Sequence, residues 1–257
     1  MSDRTIVFLG PSLDLDLAAR HLPATYRPPV EQGDVVEALS SGPVDTLVVI
    51  DGSFGKVPAV RHKELLRALS KGVRVFGAAS MGALRAAELA PFGMIGHGFV
   101  YRWYRATLLA DDDEVAVAMT PVELGARPLG DALINMRLTL RRAERAAVIG
   151  TELRRALIDG ARRLHFLRRT YRAVFDQARN ELPASLVPGL DRLEAWVADH
   201  AIDVKRDDAI SLLRLVAQSP AKNEPMQSKP FDVTESWAID LMQSNLWERA
   251  GLQQSRS

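Results

Sequence analysis

The sequence predicts an α/β fold built on a parallel sheet, followed by a helical C-terminal region. Residues 5–10 (TIVFLG), 46–51 (TLVVID) and 73–79 (VRVFGAA) are near-continuous apolar runs, the pattern of strands buried on both faces. Helical segments of about ten residues alternate with them, as in βαβ units. Beyond residue 129 the strand pattern stops and long helical segments take over. With 257 residues and 47% apolar content, the chain has ample material for a core.

In order, the Gly-Pro pair ends the first strand at residue 10, and residues 13–22 read as a short helix. The intervening GPSLD lacks the G-x-G-x-x-G spacing of a dinucleotide fingerprint, which disfavours a nucleotide-binding Rossmann-like regulator. Residues 26–30 contain Pro-Pro and are predicted to be extended. A helix is expected over 33–40, then the second strong strand, then the loop DGSFGKVPAV. Its Gly-x-x-Gly-Lys piece has the wrong spacing for a P-loop. In the helix over 61–71, His62, Leu65, Leu66 and Leu69 share one face, so His62 is expected to point inward and Lys63 and Glu64 outward. The third strand runs into an alanine-rich helix over 81–90.

After Pro91 come a glycine-rich turn (GMIGHG), a helical aromatic segment over 99–104, and an acidic run over 111–114 leading into VAVAM, read as an edge strand. Carboxylates in such a run can hold Mg²⁺, although consecutive acids at a turn are more often a solvated cap. Helices are predicted over 129–148, 151–180 with a kink near Gly160, 184–200 and 206–217. Residues 219–230 hold three prolines among polar neighbours and read as a linker. From Thr234 a final amphipathic helix carries Ile239, Met242, Leu246 and Ala250 on one stripe, with Trp237 and Trp247 beside it.

Composition excludes several chemistries. The chain has no cysteine, hence no disulfide, thiolate metal site or persulfide relay of its own. Its five histidines lack metal-ligand spacing, so neither a metal nor a cofactor is expected. No apolar run approaches the roughly 18 residues that a membrane span needs, and the N-terminus leads straight into a strand, so no membrane partner and a cytoplasmic location are expected. Eleven arginines against three acids between positions 137 and 172 suit a solvated face or an acidic partner. Without a binding motif or interleaved aromatics, they do not argue for nucleic acid.

The functional expectation centres on Ser80. In parallel sheets ligands bind outside the carboxyl ends of the strands, and Asp51 and Ser80 lie at two such ends. A serine at a sharp strand-to-helix turn, followed by Met81-Gly82, has the layout of a nucleophile elbow, with Ala78 standing where the first glycine of G-x-S-x-G would be. Backbone N–H groups beyond it can hold an oxyanion. His62 is the histidine expected at this edge and would serve as base, with Asp51 to orient it. The competing structural role for Ser80 is a plain N-cap; for His62, a core position; for Arg85 and Glu88, an i, i+3 surface pair.

The stretches IDGSFGKVPAVRHKELLRAL, VFGAASMGALRAAELAPFGMIGHG, DDDEVAVAM and RPLGDALINMRLTL resemble the TfuA-like protein family, over roughly residues 5–150. The resemblance implies a partner of YcaO-type enzymes, which activate a peptide backbone amide with ATP, and a thioamide as the typical outcome, in a ribosomally synthesised peptide or in an enzyme's own backbone. It picks out Asp51, Gly52, His62, Lys63, Glu64, Ser80, Met81, Gly82, Arg85 and Glu88. Many relatives carry a histidine at the position of Met119, and often an aromatic around Ser53 and Phe54.

Together these lines give residues 1–128 as a TfuA-like α/β core, 129–218 as a helical region, 219–232 as a linker and 233–257 as a C-terminal amphipathic helix and tail. Ser80, His62 and Asp51 are the expected catalytic set. Gly52, Lys63, Met81, Gly82, Arg85 and Glu88 are the expected substrate- or oxyanion-binding set. The expected role is delivery of sulfide to a YcaO-type enzyme by hydrolysis of a thiocarboxylated sulfur-carrier protein, with homo-oligomerisation left open. The alternative is a non-catalytic module that recruits or allosterically activates the YcaO partner.

Overall fold

A computed structural model describes residues 4–55, 57–107 and 111–219. The expected linker and C-terminal helix, apart from Ser219, lie outside the described residues. Among the described residues the chain forms two compact units, one within residues 4–107 and 208–219, the other within residues 111–207.

The first unit is the expected parallel α/β sandwich. Its elements are β1 (Thr5–Phe8), α1 (Leu15–His21), β2 (Thr25–Arg27), α2 (Asp34–Ser40), β3 (Thr46–Val49), α3 (His62–Ser70), β4 (Arg74–Gly77), α4 (Met81–Leu89), β5 (Ile95–Gly96) and α5 (Gly98–Ala106). All strands are parallel, in the order β2-β1-β3-β4-β5. Val7, Val48 and Phe76 stand in register across the three central strands, so β1, β3 and β4 end side by side. The order reverses between β1 and β3, and a crevice opens at such a switch point. β5 was not apparent from the sequence: two residues inside a glycine-rich turn show no periodicity, and only pairing with Phe76 and Gly77 makes them a strand.

The core on one face of the sheet comprises Val7, Leu9, Leu13, Val48, Ile50, Phe76, Ala78 and Ala79. Ala209, Leu212, Leu213 and Val216 of α10 (Val204–Gln218) complete it. Asp208 anchors this return, accepting from the backbone N–H of Phe99 and Val100 at 2.7 and 2.8 Å at the start of α5. Gly98 makes room for that carboxylate: its φ is +92°, and a Cβ there would stand 2.2 Å from Asp208 Cγ.

The second unit packs α6 (Leu133–Arg145), α7 (Thr151–Arg163), α8 (Tyr171–Glu181) and α9 (Val187–His200) around Met136, Leu140, Leu153, Leu157, Phe175, Leu190 and Leu193. Two sequence expectations are corrected here. Residues 115–119 are not a strand; Met119 makes an isolated bridge to Pro128. The expected helix over 151–180 is two helices, and Gly160 lies inside the first without breaking it. The break follows Leu164, whose backbone is extended, and the second helix restarts on a Thr170 cap that accepts from Ala173 N–H. Arg169 fills the break. Fully buried, it donates to the carbonyls of Ala161, Leu164 and Asp113 and pairs with the Asp113 carboxylate. Glu114 is held in a two-pronged pair by Arg137. Two members of the acidic run are therefore paired with arginines, and Glu114 is buried instead of solvated.

Candidate functional site

Asp51 lies two residues past the end of β3, is fully buried, and is spent on the loop after β1. Its Oδ2 accepts from Gly10 N and Ser12 N at 2.9 and 3.0 Å, and its Oδ1 accepts from the Ser12 hydroxyl at 2.6 Å. A carboxylate bonded in this way fixes one loop to the other across the switch point. Ser12 was not singled out from the sequence, because its partner depends on β1 and β3 being neighbours.

Gly52 and Met81 are brought into contact: a Cβ on Gly52 would stand 2.7 Å from Met81 Cγ. Gly82 lies against the end of β3, donating its N–H to Ile50 O at 3.2 Å, and a Cβ there would stand 1.8 Å from Val49 O. A Cβ on Gly77 would stand 2.1 Å from the carbonyl oxygen of Gly82. Helix α4 thus starts in backbone contact with β3 and β4, which fixes where Ser80 sits.

The turn holding Ser80 is strained. Ala79 has φ +65°, a left-handed conformation that a residue with a side chain adopts at a cost of about 1 kcal/mol or more. Ser80 itself lies at φ −131°, ψ −125° and is 2% exposed, and its side chain makes no cap hydrogen bond to α4. The plain N-cap role is therefore absent.

His62 opens α3 and is more exposed than its helical face suggested, with 45% of the side chain accessible. Its Nε2 meets Glu88 Oε2 at 2.7 Å. Arg85 shares that oxygen through Nη1 at 2.8 Å, and its Nε donates to Val60 O at 3.2 Å. Burial disfavours the charged form of Glu88, but the hydrogen bonds from His62 and Arg85 outweigh it and hold the group below the usual carboxylate range. An ionised Glu88 requires the proton on Nε2, which leaves Nδ1 as the lone-pair atom of the neutral ring.

This cluster stands apart from Ser80. Glu88 follows Ser80 by eight residues along α4, roughly 12 Å at 1.5 Å per residue. Among the described residues no hydrogen bond links His62 to Ser80 or to Asp51. The structure thus gathers His62, Arg85 and Glu88 in one place, and Gly52, Met81 and Gly82 in another beside Ser80.

Glu64 departs from its expected solvated position, with only 1% exposure. Its carboxylate accepts from Arg61 N at 3.2 Å and Gly33 N at 2.9 Å, joining the starts of α3 and α2. The buried stripe of α3 is rotated by about one residue towards Glu64 and Ala68, away from His62 and Leu66. Lys63 beside it is partly buried. Nearby, the Ser53 hydroxyl donates to Glu31 Oε1 at 2.7 Å, tying the loop after β3 to the loop after β2.

Residues 51–170 match the TfuA-like protein family. This segment is TfuA-like. It covers just under half of the chain, beginning at Asp51, and contains every residue of both expected sets. Of the groups that hold Asp51 and Glu64 in place, Gly10, Ser12 and Gly33 lie before the TfuA-like segment and Arg61 within it. No match was found among curated proteins. Among the described residues no helix is long and apolar enough to cross a membrane.

Proposed function

We propose that this chain is an accessory protein of a YcaO-type enzyme in thioamide formation, and that it releases sulfide from the thiocarboxylated C-terminus of a small sulfur-carrier protein. The TfuA-like segment supports the accessory role. The observation that carries the chemical step is the 2.7 Å contact between His62 Nε2 and Glu88 Oε2. A carboxylate-held imidazole with its other nitrogen free of that bond is equipped to take a proton from water. The water oxygen then attacks the thiocarboxylate carbon and the C–S bond breaks. The carrier is left with a carboxylate, and the sulfur departs with the water's protons as hydrogen sulfide. A chain without cysteine cannot hold that sulfur as a persulfide, so direct release fits its composition.

In this reading Arg85 secures Glu88. Ser80, Met81 and Gly82 seat the start of the helix that carries Arg85 and Glu88. A covalent route through Ser80 is the less supported version, since His62 is engaged by Glu88 about two helical turns away. The second reading is a module that activates the YcaO partner without chemistry of its own. Burial of Ser80 at 2% exposure and consumption of Asp51 by Ser12 favour it.

The test is sulfide release from a thiocarboxylated carrier protein by wild type, His62→Ala, Glu88→Gln and Ser80→Ala. Loss of a general base lowers rates by about 10²–10⁴, so His62→Ala is expected to fall in that range, Glu88→Gln by less, and Ser80→Ala to retain activity. Loss in Ser80→Ala as well would point to the covalent route. A wild type that releases no sulfide yet stimulates its YcaO partner would establish the module.

A further inference from the structure

The second unit holds a cavity of about 230 Å³ between α7 and α8. Leu157, Val174, Ala178 and Leu182 give it apolar walls, and Gly160 opens onto it. The sequence marks that glycine as a kink, yet α7 runs through it unbroken. Apart from proline, glycine is the poorest helix former, so its place inside a helix asks for a reason. Close packing is not that reason. Gly160 is buried, but beyond the backbone of its own helix a Cβ there would meet only the Arg163 guanidinium, at 3.9 Å. What the missing side chain leaves is open space.

The polar groups that line the cavity are out of balance. Arg163 Nη2 donates to Glu181 Oε2 at 2.6 Å, joining α7 to α8, and Gln177 Nε2 donates to Glu181 Oε1 at 2.8 Å. Both carboxylate oxygens are thus engaged, while Gln177 Oε1 is buried and makes no hydrogen bond. Turning the amide over would not cure this, since its oxygen would then face the Glu181 carboxylate, which only accepts. A buried acceptor left unpaired costs stability until a donor reaches it. The Arg163 and Glu181 side chains are 55% and 51% exposed, so their ion pair contributes little and parts easily to admit one. Asp159, also on the lining, is exposed and forms no ion pair among the described residues.

An apolar cavity of about 150 Å³ takes up benzene, and sites for drug-sized ligands begin at about 300 Å³. This cavity falls between the two, room for one ring with a short tail. The partner missing from it is a hydrogen-bond donor, and two carboxylates against one guanidinium on its lining favour a cation. We propose that the cavity binds a fragment-sized ammonium compound, its apolar body against Leu157, Val174 and Ala178 and its N–H donors on Gln177 Oε1. Val174, Gln177 and Glu181 follow the TfuA-like segment, and the inference stands apart from the accessory role.

The test is calorimetric titration of the full chain with 2-phenylethylammonium, beside 3-phenylpropanoate, which has the same shape but carries only acceptors. Wild type, Gly160→Leu and Gln177→Leu are compared, with a melting temperature for each. Saturable binding of the ammonium ion with a Kd of about 1 mM or below is expected, a level that a ligand of this size can reach, and no binding of the carboxylate. Gly160→Leu fills the space, so it should lose binding and melt at or above wild type. Gln177→Leu keeps the wall and removes the acceptor; it should stay folded and bind about tenfold more weakly, as the loss of one charge-assisted hydrogen bond implies. No saturable binding by wild type, or equal binding of the carboxylate, would overturn the proposal. So would unchanged affinity in a folded Gly160→Leu or Gln177→Leu, which would put the ligand elsewhere. A Gly160→Leu that melts well below wild type would overturn it too, by showing that the space is not open.

Discussion

Glu64 shows how far one buried carboxylate shapes this edge of the sheet. Desolvation by burial raises its pKa to about 7, against hydrogen bonds from the backbone of Arg61 and Gly33 that favour the charged form; the charge of Asp34 raises it further. The unfolded group titrates near 4.5, so between pH 4.5 and 7 the folded chain holds a proton that the unfolded chain has released. Stability therefore falls as pH rises through that window and levels off above it. The loss attributable to this group is about 3 kcal/mol. Glu64→Gln should flatten that slope, read from denaturant midpoints at pH 5, 6, 7 and 8. An unchanged slope would assign it to other groups. Because Glu64 joins the starts of α2 and α3, Glu64→Ala should also orphan two backbone donors, at about 1–3 kcal/mol. None of this was legible in the sequence. Helical periodicity placed the centre of the buried stripe near His62, whereas α3 packs against α2 as well as β4, and the contact with the start of α2 draws Glu64 inside.

At the scale of elements, the seating of α4 rests on Gly77 and Gly82. Two effects oppose each other in Gly82→Ala. The helix gains about 1 kcal/mol from the better helix former, but the new methyl would stand 1.8 Å from Val49 O. Backbone cannot give way as a side chain does, and overpacking of this kind costs about 1–3 kcal/mol, occasionally more. The clash wins, and thermal unfolding of Gly82→Ala should come several degrees below wild type, with release of sulfide impaired because α4, which carries Arg85 and Glu88, shifts. A melting temperature at or above wild type would mean that α4 is free to slide. Much at this scale was readable: three apolar runs and their intervening helices correspond to β1, β3, β4, α1, α2, α3 and α4, and the strand-to-helix turn at Ser80 is where the pattern put it. The partners of Asp51 and His62 were not, because they depend on strand order and on how α3 and α4 meet, which no local pattern encodes.

For the whole molecule, the decisive feature is that the α/β unit is discontinuous in sequence. Ala209, Leu212, Leu213 and Val216 return to its core after the whole of the second unit has intervened. Losing one buried leucine costs about 2–5 kcal/mol, while a domain's entire stability is about 5–15 kcal/mol. A chain ending at residue 207 should therefore keep its helical second unit and lose the sheet. Limited proteolysis checks this: digestion confined to the α/β part is the expected result, and equal protection of both parts would show α10 to be dispensable. The amphipathic pattern over 206–217 marked a helix but not its destination, since an apolar stripe says that something covers it and not what.

That discontinuity also orders events on the ribosome. Residues 109–207 are contiguous, so the second unit has all of its parts as soon as they leave the exit tunnel. The sheet must wait for the last turn of α10, although its strands emerge first. At synthesis rates of about 5–20 residues per second, that interval amounts to several seconds or more. During it the apolar face that Leu212 and Leu213 will cover is open, and the nascent chain depends on chaperones, or on the speed of translation itself, to arrive intact.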